Sequence, residues 1–330
     1  MTALTATVRA HANIALAKYW GKADVARNLP AVPSLSLTLE GMRTTTEVTF
    51  LPELSADELL LGESLQQGRP LARASKLLSE VRGLGKVSLF ARVRSHNDFP
   101  TASGLASSAS GFAALALAAT RALGLALPPA RVSALARAAS ASAARSLFGG
   151  FVELRARAES AVPVAGPEHW PLIMLVAVTS EAAKDTGSTD GMQHTASTSP
   201  YYASWVSDAP RLFAEVKAAV LGRDFARLAP AVEQSALAMH ASMLAASPAL
   251  IYFRPATLGV IETVRSLRKA GTSACFTIDA GPHVKVLVEP GSAGAVRRAL
   301  AATDGVLRVL ESAPGPDATV LDGGFGEPAP

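Results

Sequence analysis

The chain has 330 residues, 49% hydrophobic and 18% charged, with a net charge of +4, enough apolar material for a substantial core and roughly two domains. That balance excludes a disordered chain, a collagen-like repeat and a disulfide-stapled miniprotein. Cys275 is the single cysteine and the 31 basic residues are scattered, which fits a reducing, cytoplasmic setting and small anionic substrates better than nucleic acid.

Arg9, His11 and Lys18 interrupt the apolar runs at the start, so no signal peptide is read there. The first fifty residues read as strands. Leu35, Leu37 and Leu39 alternate with polar residues, Thr44 to Phe50 is rich in threonine and valine, and a turn is expected at Gly41 between the two. Residues 72–84 read as a helix and 87–94 as a strand. A Gly- and Ser-rich loop at Pro100 leads into a long helix over 105–123, ended by Gly124 and Pro128-Pro129. The uncharged span from Asp98 to Arg121 approaches membrane-spanning length, but its proline, glycines and serines fit a loop feeding a buried helix. A helix over 130–139 and a short strand near 150–156 follow.

Pro163, Gly166, Pro167 and Pro171 mark a domain boundary near 160–180, before an apolar strand at 172–178. Beyond a polar stretch at 180–199, helices are expected near 200–222, 224–245 and 255–270. Strands at 274–279 and 284–289, a helix at 293–303 and a strand at 306–310 complete the pattern. The Gly- and Pro-rich tail from Ala313 is expected to be mobile. Segregated strands and helices predict an α+β fold with two domains.

Four stretches carry chemistry. Pro100-Thr-Ala-Ser-Gly-Leu-Ala-Ser-Ser-Ala109 places glycine, hydroxyls and a helix N-terminus where an anion can bind, though a capped helix start is the plainer reading. It is not a Walker A loop, since no Gly-Lys-Ser/Thr follows. In Ala12-Asn-Ile-Ala-Leu-Ala-Lys-Tyr-Trp-Gly-Lys22, Lys18 and Lys22 stand four apart in an apolar setting; two solvated lysines would look the same. Arg145, within Ser140–Glu153 and before a Gly-Gly pair, can hold a carboxylate or phosphate in a bidentate fork, or make a structural ion pair. Asp279 ends an apolar strand before Ala-Gly-Pro-His283, where an Asx-turn is the alternative. The six histidines lack zinc-ligand spacing, and Cys275 reads as a small core residue.

Taken together and in this order, the stretches resemble the diphosphomevalonate decarboxylase family of the GHMP kinase superfamily. The resemblance runs from Ala12 to about Val288 and includes the Pro-Ser-Leu-Ser-Leu-Thr-Leu run at 33–39, Ser188-Thr-Asp-Gly-Met192, Thr198-Ser-Pro200 and Asp279-Ala-Gly-Pro282. It implies a GHMP-kinase-like fold of two domains, 1–175 and 176–330. The first would be ribosomal-protein-S5-domain-2-like and the second ferredoxin-like, with the active site in the cleft between them. It implies ATP and Mg2+, a phosphorylated mevalonate as substrate, and a homodimer without nucleic-acid or membrane partners.

By the same resemblance Asp279, Lys18 and Arg145 are catalytic: Asp279 contacts the 3-hydroxyl, Arg145 grips the carboxylate and Lys18 neutralises the transferred phosphate. Tyr19 and Lys22 hold the diphosphate, and Ser140, Ser142, Ser188 and Met192 line the substrate pocket. Ser95, Pro100, Ser103, Gly104, Leu105, Ala106, Ser107 and Ser108 bind ATP. No residue is assigned as a metal ligand. Val32-Pro33 and Thr189 depart from the family's pattern, the latter standing where some relatives carry arginine. A decarboxylase of a mono- or differently phosphorylated mevalonate, or a small-molecule kinase of the superfamily, is the alternative reading.

Overall fold

Strand β1 (Leu4–Ala17) pairs antiparallel along almost its whole length with β4 (Ser34–Leu51), and the short ribbon β2 (Lys22–Asp24) and β3 (Leu29–Pro30) lies between them in sequence. The computed structural model describes residues 4–99, 107–182 and 185–322. The turn expected at Gly41 is absent, because β4 continues through it. The pairing instead changes register between His11 and Asn13, so β4 absorbs extra residues as a bulge without ending. A Cβ on Gly41 would come within 3.2 Å of the Glu311 carbonyl oxygen, and the Gly41 N–H donates to Ser312 Oγ at 3.0 Å.

Beyond β4 the sheet is extended by β5 (Glu58–Leu61), β6 (Ser64–Leu65) and, after helix α1 (Arg69–Gly85), by β7 (Phe90–Asn97). Helices α2 (Ser107–Ala122) and α3 (Pro129–Ala139) follow, then a 3-10 helix (Ala141–Leu147) and strands β8 (Phe151–Leu154) and β9 (Val162–Ala165). The upper half of β4 pairs with β7 and its lower half with β8. One face of this sheet, with Val8, Ala10, Val48, Phe50, Ala91 and Val93, packs on α1, α2 and α3. Buried alanines at 113, 114, 116, 118 and 119 let α2 lie close against the sheet, and this close packing leaves little room for a larger side chain.

The second sheet begins with β10 (Ile173–Val178). Helices α4 (Ser188–Thr198), α5 (Tyr202–Gly222), α6 (Phe225–Leu244) and α7 (Pro255–Lys269) intervene before β11 (Ala274–Ile278), β12 (Val284–Val288), helix α8 (Pro290–Ala301) and β13 (Arg308–Ser312). Strand order is β11-β12-β10-β13, all antiparallel. Its outer face packs on α7 and α8 through Phe276, Ile278, Val284 and Val286. On the inner face Met174, Val176, Cys275 and Leu287 share a core with α5, α6 and Ile14, Leu16, Leu35 and Leu37 of the first sheet. Truncating one of these fully buried side chains to alanine costs about 2–5 kcal/mol.

Helix α4 falls inside the stretch read as merely polar. Its sequence has almost no apolar period; Gly191, Met192 and Thr195 hold it against the body of the protein. The tail is a second correction. From Ala313 the chain is not mobile as far as it is described: it returns across the first sheet, bonding Thr38, Glu40 and Gly150 through the backbone of 313–315. It ends as β14 (Thr319–Leu321) beside β1. No helix among the described residues is long and apolar enough to cross a membrane.

Candidate active site

Lys18 begins the segment that leaves β1, and its backbone N–H donates to Ser235 Oγ of α6 at 2.9 Å. Trp20, packed among Val32, Met192, Trp205 and Met239, anchors the next turn, its carbonyl accepting from Trp205 Nε1 at 2.8 Å. Gly21 at φ +112° completes it; a Cβ there would strike the Tyr202 hydroxyl. Lys18, Tyr19 and Lys22 therefore face one cleft of about 640 Å3 lying between the two sheets.

Asp279 reaches the cleft from the other side, just past the end of β11. Its Oδ1 accepts from Lys18 Nζ at 2.6 Å, and its Oδ2 lies 3.2 Å from Lys285 Nζ of β12. Burial alone would raise this carboxyl's pKa. The two ammonium groups outweigh burial and hold it well below the usual carboxylate range. Burial pulls Lys18 down to about 8, against the attraction of Asp279. His240 of α6, buried against Phe253 with ring centroids 4.5 Å apart, bonds the backbone of Ile278 and Asp279; burial, then Lys18, lowers it to about 3, so the ring is neutral near pH 7.

Arg145 stands in the last turn of the 3-10 helix and is 2% exposed. Its Nη1 donates to Ser34 Oγ at 2.7 Å, and its Nε to Ser36 Oγ at 2.9 Å and Asn13 Oδ1 at 3.3 Å. Asn13 is itself pinned by donating to the Ser142 carbonyl and Ser146 Oγ. Among the described residues these partners are all neutral. Burial pulls the guanidinium down to about 10, which still leaves it charged. A buried cation held by hydroxyls and an amide, open to the cleft, is built for an incoming carboxylate or phosphate.

The remaining lining reinforces that sign. Lys22, Arg69, Arg73 and Lys76 join Lys18 and Arg145, against Glu80, Asp190 and Asp279. Burial, then Arg73 and Arg69, lowers the pKa of Lys22. Arg69 of α1 and Asp190 of α4 form a fork across the cleft at 2.8 and 3.0 Å; both side chains are largely exposed, so the pair contributes little stability. Tyr19 Oη and Trp20 Nε1 are buried without a partner in the described protein, a cost that a bound ligand would relieve.

Of the residues singled out in the sequence, Lys18, Tyr19, Lys22, Ser107, Ser108, Ser140, Ser142, Arg145, Ser188, Met192 and Asp279 all line this one cleft. Ser95 does not: it points between β7 and β4, its hydroxyl 2.8 Å from Thr46 Oγ1. Pro100, Ser103, Gly104, Leu105 and Ala106 lie outside the described residues. Ser107 and Ser108 begin the 16-residue α2, whose N-terminal dipole is aimed at the cleft. Asn13, Arg69, Arg73 and Lys285 were missed. Lys285 had a readable signal, a charge within the otherwise apolar Val284-Lys-Val-Leu-Val288.

Comparison with known proteins agrees with this geometry. Residues 10–163 match a family model described as diphosphomevalonate decarboxylase-like N-terminal domain, and residues 174–306 match one described as mevalonate 5-diphosphate decarboxylase C-terminal domain. The diphosphomevalonate decarboxylase of Eremothecium gossypii is 37% identical over 308 residues, 86% of this chain and 77% of the relative. That of Candida albicans is 36% identical over 302 residues, covering 86% and 83%. Among solved structures, mevalonate diphosphate decarboxylase from Staphylococcus aureus superposes with a TM-score of 0.91 at 36% identity, over 96% of this chain and 98% of that one. The Enterococcus faecalis enzyme gives 0.88 at 38% identity, over 97% and 99%. A structure described as MDDEF in complex with MVAPP, AMPPCP and magnesium gives 0.90 at 38% identity, over 97% and 99%.

Proposed function

Because the chain belongs to the diphosphomevalonate decarboxylase family, we propose that it converts 5-diphosphomevalonate and ATP to isopentenyl diphosphate, ADP, phosphate and carbon dioxide, a step of isoprenoid biosynthesis. The observation that carries this reading is the meeting of Asp279, Lys18 and Arg145 at one cleft whose lining has more basic than acidic side chains.

Each residue has a chemical task. The Asp279 carboxylate accepts a hydrogen bond from the substrate's 3-hydroxyl and sets its oxygen toward the γ-phosphoryl group, a transfer governed by position and charge. As the O–P bond forms and ADP departs, the hydroxyl proton is released to water, and the phosphate expelled later takes one up. The C3–O bond then breaks, its electron pair leaving with phosphate. The bond from the adjacent carbon to the carboxylate supplies the electrons of the new double bond as carbon dioxide departs. Charge developing at C3 is opposed by Asp279, and the departing phosphate by Lys18. Arg145 holds the carboxylate until it is lost, while Tyr19 and Lys22 hold the diphosphate end. Ser140, Ser142, Ser188 and Met192 shape the wall around the substrate.

The nucleotide phosphates belong at the start of α2. Ser107 and Ser108, at the start of α2 and in the cleft lining, would supply the protein's oxygens beside a magnesium ion that otherwise would be held by the nucleotide's phosphates. When bound, the ion supplies charge neutralisation to the phosphates. The assembly is read as a cytoplasmic homodimer. The lone, buried Cys275 supports the reducing compartment, and Leu237 and Leu244, exposed on one face of α6, support self-association, which light scattering measures directly.

The test is incubation with magnesium-ATP and, separately, mevalonate, 5-phosphomevalonate and 5-diphosphomevalonate, following ADP, phosphate and carbon dioxide together. Equal release of all three with the diphosphate alone is expected. Release with the monophosphate would change the substrate, and ADP without gas would make the protein a kinase.

A further inference from the structure

Lys285 is wholly buried near the start of β12, opposite Thr277 of β11. Alternation along the strand puts it on the face of Leu287, which packs toward the first sheet, rather than with Val284, Val286 and Val288 on the outer side. Among the described residues its Nζ has two partners: Asp279 Oδ2 at 3.2 Å and the His283 carbonyl at 3.4 Å. It does not line the cleft, whereas Lys18 does. A buried ammonium is costly, and an apolar side chain of that size would suit a site among aliphatic neighbours. The charge therefore has a purpose other than packing.

We infer that Lys285 is a positioning residue for the reaction, clamping Oδ2 of Asp279 from behind so that the carboxylate is held square to the cleft beside Lys18. This rests on the reading of Asp279 given above. With one ammonium on each oxygen, the carboxylate cannot rotate to give both oxygens to Lys18, and its cleft-facing lone pair stays aimed where a substrate hydroxyl would sit. The groups facing Asp279 are Lys18 after β1, Arg145 from the 3-10 helix, His240 from α6 and Lys285 from β12. His283 in the intervening turn is directed to Thr179, whose N–H donates to its Nδ1 at 3.2 Å. Lys285 also repels Lys18. Removing its charge therefore raises the pKa of Lys18, and the alkaline limb of the activity profile moves to higher pH.

The experiment compares Lys285→Met, Lys285→Gln, Lys285→Arg, Asp279→Asn and the double variant Asp279→Asn/Lys285→Met, with folding checked by circular dichroism. Lys285→Met should lower kcat about 10- to 100-fold, the scale for partners that orient a reacting group, with the KM for ATP unchanged. The alkaline limb of kcat/KM should move to higher pH, and Lys285→Arg should recover part of the rate. On the Asp279→Asn background, adding Lys285→Met should change kcat by no more than about twofold, because both act through one carboxylate. Should the methionine variant not fold, the glutamine variant carries the same readouts. Wild-type kcat with an unmoved alkaline limb, or an equal further loss in the Asp279→Asn background, would overturn the inference. Full activity in Asp279→Asn alone would instead remove the reading of Asp279, whatever Lys285 does.

Discussion

Lys18 shows how one residue can be set by two opposing effects. Removal from water favours its neutral amine, and contact with Asp279 favours the ammonium; burial wins, and the group titrates at about 8. A lysine with a lowered pKa keeps its charge below that value and loses it above. If Lys18 must be cationic to offset the transferred phosphate, kcat/KM should fall as pH rises through about 8, tenfold for each further unit. A profile flat from pH 7 to 10 would mean that the charge on Lys18 is not needed. Lysine's role was legible as a spacing, Lys18 and Lys22 around an aromatic pair, but the spacing left solvated lysines equally open. What decides is a partner 261 residues away in sequence, Asp279, and no local pattern reports such a contact. Lys285 was hidden by the opposite cause: its neighbours on β12 form so clear a core strand that one charge among them reads as an interruption.

At the scale of elements, the segment after Arg145 is held by the chain's last described stretch. Gly149 N–H donates to Asp317 Oδ1 at 2.6 Å, Gly150 N–H to the Gly315 carbonyl at 2.9 Å, and Ala318 N–H to the Leu147 carbonyl at 3.2 Å. A Cβ on Gly149 would meet backbone atoms of 315–317 at 2.6–2.8 Å, and backbone cannot swing aside as a flexible side chain can. Gly149→Ala should therefore lower stability by about 1–3 kcal/mol and reduce kcat by loosening the 3-10 helix that carries Arg145. A melting temperature equal to that of the parent would show that the tail can give way freely. The tail's docking escaped a reading of composition because its glycines and prolines carry no apolar period; backbone hydrogen bonds hold most of it. The continuous β4 escaped for a related reason. Glycine at 41 signals a turn in isolation, and only the register shift in its partner β1 lets the strand run on. Where burial sets a strong period, as in α1, α5, α6 and α7, the sequence located the elements to within a few residues.

At the scale of the molecule, the two sheets share one core, and the cleft draws a residue set from both halves of the chain. Lys18 and Arg145 come from the first half and Asp279 from the second. Buried cations on one side are satisfied by hydroxyls, an amide and a single carboxylate, an arrangement that a small polyanion completes. The identity of these residues was readable because motif order, not any single motif, narrowed the choice. Their convergence was not, since it depends on how the sheets pack. Turnover of Asp279→Asn, measured with magnesium-ATP and 5-diphosphomevalonate beside nucleotide affinity, tests that convergence most directly. A loss of about 10³-fold or more in kcat with nearly intact ATP binding is expected for a group that contacts the reacting hydroxyl. Turnover close to the parent's would contradict it.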